Sequence, residues 1–140
     1  MSDLFLNKTK RKSEMSENEL AEIVVEVGFQ IHRKWGPGLL ESVYEALMVY
    51  HLRKYGFFIE QQKEVPFMED GVKLPLGFRV DIIVEQKLVV ELKSIERTAP
   101  VHSKILLTYL RLTNLKLGLL MNFGEPLLKD GIKRVIRGYL

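Results

Sequence analysis

The chain has 140 residues, 46% of them hydrophobic and 28% charged, which is the composition of one globular domain and excludes a disordered chain or two ordinary domains. It contains no cysteine, which excludes disulfides and thiolate zinc sites and suits a reducing compartment. No apolar run approaches the roughly 18 residues of a membrane span, no secretory-type apolar core opens the sequence, and a net charge of +3 permits a polyanionic partner without requiring one. A cytoplasmic protein is the expectation.

Residues 1–15 read as a basic, flexible leader in which Lys8, Lys10, Arg11 and Lys12 are solvated charges, and residues 16–140 as one domain. Ser16 and Glu19 have capping-box spacing. Leu20, Ile23, Val24, Val27 and Ile31 then mark the buried side of a helix running to about Trp35, which "GPG" ends. A second helix is expected from about Leu39 to Tyr55, with Leu40, Val43, Leu47 and Tyr50/His51 on its apolar side and Gly56 as its stop. The pattern then changes to strands: "FFIEQQKEVPFM", a turn at "EDG", "VKLPLGFRVDIIV" and "KLVVELKS". Pro66 and Pro75 point to an edge or irregular pairing. A third helix spans about His102 to Thr113, "KLGLLMNFG" reads as a buried strand, and "IKRVIRGYL" as a last strand or short helix. The order ααβββαβ implies an α/β domain with a central mixed sheet flanked by helices. Apolar surface in "KLGLLMNFG" and "VIRGYL" is available, on this reading, for a second subunit.

The hairpin "VDIIVEQKLVVELKS" carries charge inside its most hydrophobic stretch. With a three-residue turn at Glu85, Gln86 and Lys87, Val84 pairs with Leu88, Ile83 with Val89, Ile82 with Val90, Asp81 with Glu91 and Arg79 with Lys93. Val80, Ile82, Val84, Leu88, Val90 and Leu92 then share an apolar face, and the two acids oppose each other on the other. Directly opposed carboxylates need a proton, a cationic neighbour or a metal. Two readings stay open on pattern alone: an ion-pair cluster with Arg79 and Lys93, or a site for a hard divalent cation. A two-residue turn would separate the acids onto opposite faces.

Three ordered stretches, "GLLESVYEALMVYHL", "FRVDIIVEQKLVVELKS" and "HSKILLTYLRLTNLKLGLLMNFG", resemble the GxxExxY family of small bacterial proteins, placed in the PD-(D/E)XK nuclease-like superfamily. Gly38, Glu41 and Tyr44 match the naming motif, Asp81 the metal-binding aspartate, and Glu91-Leu92-Lys93 the (D/E)xK element. The resemblance covers about Glu19 to Arg137. It implies a restriction-endonuclease-like core and a metal-dependent nuclease hydrolysing DNA by activated water. Asp81 and Glu91 would hold Mg²⁺ or Mn²⁺ with the backbone carbonyl of Leu92, Glu41 would add a ligand from the second helix, and Lys93 would orient or deprotonate the water. Tyr109, His102 and Tyr44 would support the site, His102 either by reaching a phosphate or by a local helix-start hydrogen bond. Lys63, Lys73, Arg79, Arg97, Lys104 and Arg111 are candidate phosphate contacts. Gln62 lies near a glutamine of the family's first strand, although a strand glutamine is more often a cross-strand hydrogen-bonding residue than a ligand. Relatives carry a glutamine one turn before the helix tyrosine. Here that position is Ile105, and Lys104 lies about 100° away from it around the helix. The alternative is therefore a catalytically impaired nucleic-acid-binding or assembly module on the same fold.

Overall fold

The computed structural model describes residues 11–140; the leader before Arg11, with Lys8 and Lys10, lies outside them. Among the described residues, three α-helices and five strands follow in the order α1 (Glu17–Trp35), α2 (Glu41–Lys54), β1 (Ile59–Glu69), β2 (Val72–Val84), β3 (Leu88–Lys93), α3 (Pro100–Thr113), β4 (Leu117–Asn122) and β5 (Ile132–Ile136). The strands form a single mixed sheet in sequence order, antiparallel except for β3–β4. That parallel pair needs a crossover, and α3 supplies it. The architecture is an α/β fold with a restriction-endonuclease-like core, and the last segment is a strand.

Local chemistry sets the element ends. Ser16 Oγ accepts from the Glu19 N–H and Glu19 Oε1 from the Ser16 N–H, both at 3.1 Å, so the capping box is complete. Gly56, at φ +84°, turns the chain after α2 where a side chain would be strained. One face of the sheet packs against α1 and α2 through Leu20, Val24, Met48, Leu52, Ile82, Val90 and Met121, among others. At Gly28 a Cβ would lie 2.3 Å from Met121 Cε, so α1 packs closely on β4 there and a larger residue would have to displace the methionine tip. The opposite face packs against α3 through Val65, Val80, Ile83, Val89, Leu106, Leu110 and Leu120. The segment just ahead of α1 is tied in as well. Met15 is buried, and Lys87 Nζ donates to the carbonyls of Ser13 and Met15, each at 2.7 Å.

Three expectations need correction. In α2 the buried side is Tyr44, Glu45, Met48, Val49 and Leu52, whereas Leu40 and Val43 are 72% and 40% exposed. The Tyr44 hydroxyl decides this orientation: it donates to the Gly36 carbonyl and accepts from the Leu39 N–H at 3.2 Å, while its ring stacks on Phe123 with centroids 4.4 Å apart. Gly38 (φ +111°) serves the turn alone, since a Cβ there would meet nothing. Val80 belongs to the α3 cluster, not to the face shared by Ile82 and Val84. The cause is a local reversal at Gln62, whose φ is +50° in mid-strand and whose register partner Asp81 is skipped by the ladder. Beyond that point both strands present the opposite face. Finally, Leu117–Asn122 is wholly buried as the strand between β3 and β5, so it offers no surface to a second subunit. Ile136, Tyr139 and Leu140 remain exposed.

Pro66 lies on the edge strand β1, and the β1–β2 register shifts between Pro66 and Met68. A proline removes a ladder donor, so the shift falls where pairing is already weakened. β2 pairs with β3 only from Ile82 to Val84, and its long outer part runs past β3 as a two-stranded arm.

Candidate metal centre

The three-residue turn at Glu85–Lys87 is as anticipated, and Val84, Ile83 and Ile82 face Leu88, Val89 and Val90. The ladder stops there. Asp81 and Glu91 do not continue it as a backbone pair, and Arg79 lies opposite Glu64 of β1, not opposite Lys93. The strands splay, and side chains replace the missing ladder bonds. The Asp81 N–H donates to Glu91 Oε1 at 3.0 Å, and the Leu92 N–H donates to Asp81 Oδ2 at 2.9 Å. Each acid therefore satisfies a backbone donor of the opposing strand that would otherwise be orphaned.

Glu91 is buried and Asp81 half-buried. Burial first, then the neighbouring Asp81 charge, pushes Glu91 up to about 8, against a bond from the Asp81 N–H and the attraction of Lys93. Burial also raises Asp81, opposed by the Leu92 N–H, while the Glu45 charge adds to the rise. Glu41 is raised by burial, lowered by Lys93, and raised again by Asp81 and Glu45. Tyr109, from α3, is raised by burial and then by Glu91 and Asp81. Asp81, Glu91 and Lys93 from the hairpin, Glu41 from α2 and Tyr109 from α3 therefore share one electrostatic neighbourhood.

Glu45 was not anticipated. It is a buried acid one helical turn beyond Glu41, and it accepts from Gln61 Nε2 at 2.7 Å and Gln62 Nε2 at 2.6 Å. Adjacent strand residues normally point to opposite faces. The left-handed backbone at Gln62 lets both amides reach the same carboxylate. Gln62 Nε2 also lies 3.2 Å from Asp81 Oδ1, so a single amide links Glu45 to Asp81. The signal in the sequence was the unbroken polar run "EQQKE" inside a strand, where alternation should have continued.

Other candidates lie apart. Tyr44 is fully buried and holds the Gly36–Leu39 loop, which sets where α2 begins and hence where Glu41 stands. His102 Nδ1 accepts from the Ala99 N–H at 2.8 Å and caps α3. Arg79, Arg97, Lys104 and Arg111 are exposed, and Ile105 is exposed as well. His32 Nε2 lies 2.9 Å from the Glu125 carbonyl, away from the acids.

Among the described residues, no close ion pair joins Arg79 or Lys93 to Asp81 or Glu91, and no three His, Cys, Asp or Glu side chains are drawn into a cation cage. The donor set nevertheless fits a hard divalent cation. It is all oxygen, its two central carboxylates are pressed together away from water, and each bonded oxygen keeps a second lone pair. Added positive charge there would relieve the strain recorded in the raised affinity of Glu91 for its proton.

A mixed sheet between helices, with two acids and a lysine at the splayed end of a central hairpin, defines the class: an α/β domain with the restriction-endonuclease-like core. A family model described as PD-(D/E)XK nuclease superfamily matches residues 18–135, and the chain belongs to that superfamily. Nucleases of this superfamily generally use divalent metal ions. No curated protein and no solved structure matches the chain significantly. Among the described residues, no helix is long and apolar enough to cross a membrane.

Proposed function

We propose that the protein is a metal-dependent deoxyribonuclease of the GxxExxY group, cytoplasmic and bacterial, with residues 16–140 as its catalytic domain. The observation that carries this reading is the exchange of backbone bonds between Asp81 and Glu91, which holds two acids together with Lys93 two residues further along β3. Asp81 and Glu91 would hold Mg²⁺ or Mn²⁺, with the Leu92 carbonyl and Glu41 as further ligands. When bound, the ion supplies Lewis acidity, making water a better nucleophile and offsetting negative charge on the phosphate.

The chain's own groups do the rest. Lys93 is half-buried, and its ammonium would orient the attacking water and stabilise charge on the phosphodiester oxygens. Glu91 must give up its proton to serve as a ligand, which couples occupancy of the centre to pH. Gln62, itself held by Glu45, donates to the Asp81 carboxylate and keeps it in place. Tyr109 presents a hydroxyl from the facing helix.

The test is cleavage of single- and double-stranded DNA in Mg²⁺ or Mn²⁺ by the wild type and by Asp81→Ala and Lys93→Ala. Hydrolysis by the wild type alone is expected, with a loss in the variants on the order of a hundredfold or more, as for removal of an electrostatic catalytic group. Equal cutting by all three proteins would refute the assignment. The exposed Ile105, where relatives carry a glutamine, favours a second reading: a nucleic-acid-binding or assembly module with catalysis lost. That reading predicts salt-sensitive binding with no metal-dependent turnover.

A further inference from the structure

The last turns of α2 and the start of β1 border an open cavity of about 510 Å³, lined by Ala46, Val49, Tyr50, Arg53, Lys54 and Gln61. Its charge is cationic and uncompensated: among the described residues neither Arg53 nor Lys54 takes part in an ion pair. Lys54 Nζ stands 4.4 Å from the centre of the Tyr50 ring. This cation–π contact orders an otherwise mobile ammonium without neutralising it. His51, the next residue after Tyr50, has its proton affinity lowered by burial and then by Lys54 and Lys34. The positive field therefore extends along this end of the helix.

The cavity is connected to the acids. Gln61, part of its wall, donates to Glu45 Oε2 at 2.7 Å, and Glu45 Oε1 accepts from Gln62, which reaches Asp81. Distance along α2 gives the spacing. Arg53 lies two helical turns beyond Glu45, about 12 Å at the usual rise per residue.

We propose that this cavity is a phosphate subsite, holding the backbone of the nucleic-acid strand away from the bond presented to Asp81 and Glu91. The inference rests on the nuclease reading and extends it: substrate is gripped on the α2 side of the centre. Arg53 offers the planar fork that engages phosphate oxygens in pairs, and Lys54 adds a point charge. Because both contacts are to backbone, this grip is indifferent to base sequence.

The experiment measures binding of a fluorescein-labelled oligothymidylate of about twelve nucleotides, and of its duplex with oligoadenylate, to the full chain in EDTA across a salt series. The double variant Arg53→Ala/Lys54→Ala should weaken binding on the order of tenfold at low salt. Its salt slope should fall by about 1.4 on the single strand or about 1.8 on the duplex, as expected for two lost phosphate contacts. Lys116→Ala/Lys129→Ala removes the same net charge outside the cavity and should leave binding within about twofold of wild type, since exposed charges at a distance are screened. Unchanged binding by the cavity variant, or an equal loss in the control, overturns the subsite. Mn²⁺-dependent cutting is assayed separately. If the wild type does not cut while the cavity variant alone loses binding, the nuclease reading falls and the subsite stands.

Discussion

Replacing Glu91 by glutamine removes a charge while keeping a carbonyl oxygen in place of Oε1, which accepts from the Asp81 N–H at 3.0 Å. In the wild type, burial and Asp81 raise this carboxyl from 4.5 to about 8. The folded protein therefore holds a proton that the unfolded chain has released between those two values. Stability linked to Glu91 is full below about pH 4.5 and is lost as pH rises through about 8. At about 1.4 kcal/mol for each pH unit of displacement, the ceiling is roughly 5 kcal/mol. Water entering between the splayed strands reduces this, so a loss of a few kcal/mol is expected. Urea denaturation in EDTA at about pH 5, 7 and 9 measures it, because stability depends on the difference in protons bound. The Glu91→Gln protein should match the wild type near pH 5 and exceed it by a few kcal/mol near pH 9. Adding Mn²⁺ near pH 9 should restore the wild type and leave the variant unmoved, since only a ligand of the folded state stabilises it. Parallel stability profiles for the two proteins would refute the electrostatic account of the hairpin.

Three further outcomes follow from the packing. Tyr44→Phe keeps the stack on Phe123 but strands the bonding groups of Gly36 and Leu39, and should cost about 1–3 kcal/mol by urea denaturation. Gln62→Ala deprives the buried Glu45 of one donor and should lower stability by about 1–3 kcal/mol; Gln62→Gly should recover about 1 kcal/mol of that, because the left-handed backbone at this position is free for glycine. In Gly118→Ala the added Cβ would sit 2.8 Å from Leu106 Cδ1 and press α3 away from the sheet. A drop of about 1–3 kcal/mol in chemical denaturation is expected, with reduced metal-dependent cutting because Tyr109 moves with the helix.

Local codes were legible in the chain. The Ser16–Glu19 capping box, the stop at Gly56 and the turn at Glu85–Lys87 depend on neighbours a few residues away, and each is where its residues placed it. The hairpin likewise announced its acids and lysine. What could not be read depended on distant partners. The rotation of α2 is set by a Tyr44 hydroxyl bonded to the preceding loop and by Glu45 bonded to β1, and both are polar groups that a search for apolar periodicity passes over. The end of the β2–β3 ladder was hidden for the same reason. Carboxylates took over two main-chain donors, a substitution that strand alternation does not encode. Gln62 gave no warning of its left-handed backbone beyond the polarity of the residues around it.

The reversal at Gln62 also divides the long hairpin between two packing regions. Toward the Glu85–Lys87 turn it is packed on both faces, Ile82, Val84, Leu88 and Val90 on the α1–α2 side and Ile83 and Val89 on the α3 side; from Val80 outward it relies on α3, through contacts such as the Phe78–Tyr109 ring pair with centroids 5.7 Å apart. The outer arm can therefore open as a unit while the helical layer stays closed. Amide protons of Lys63–Arg79 should exchange with solvent on a faster, separate schedule from those of Ile82–Val84 and Leu88–Leu92. Because Tyr109 packs on the arm and lies in the electrostatic neighbourhood of the acids, each opening briefly loosens one wall of the candidate centre.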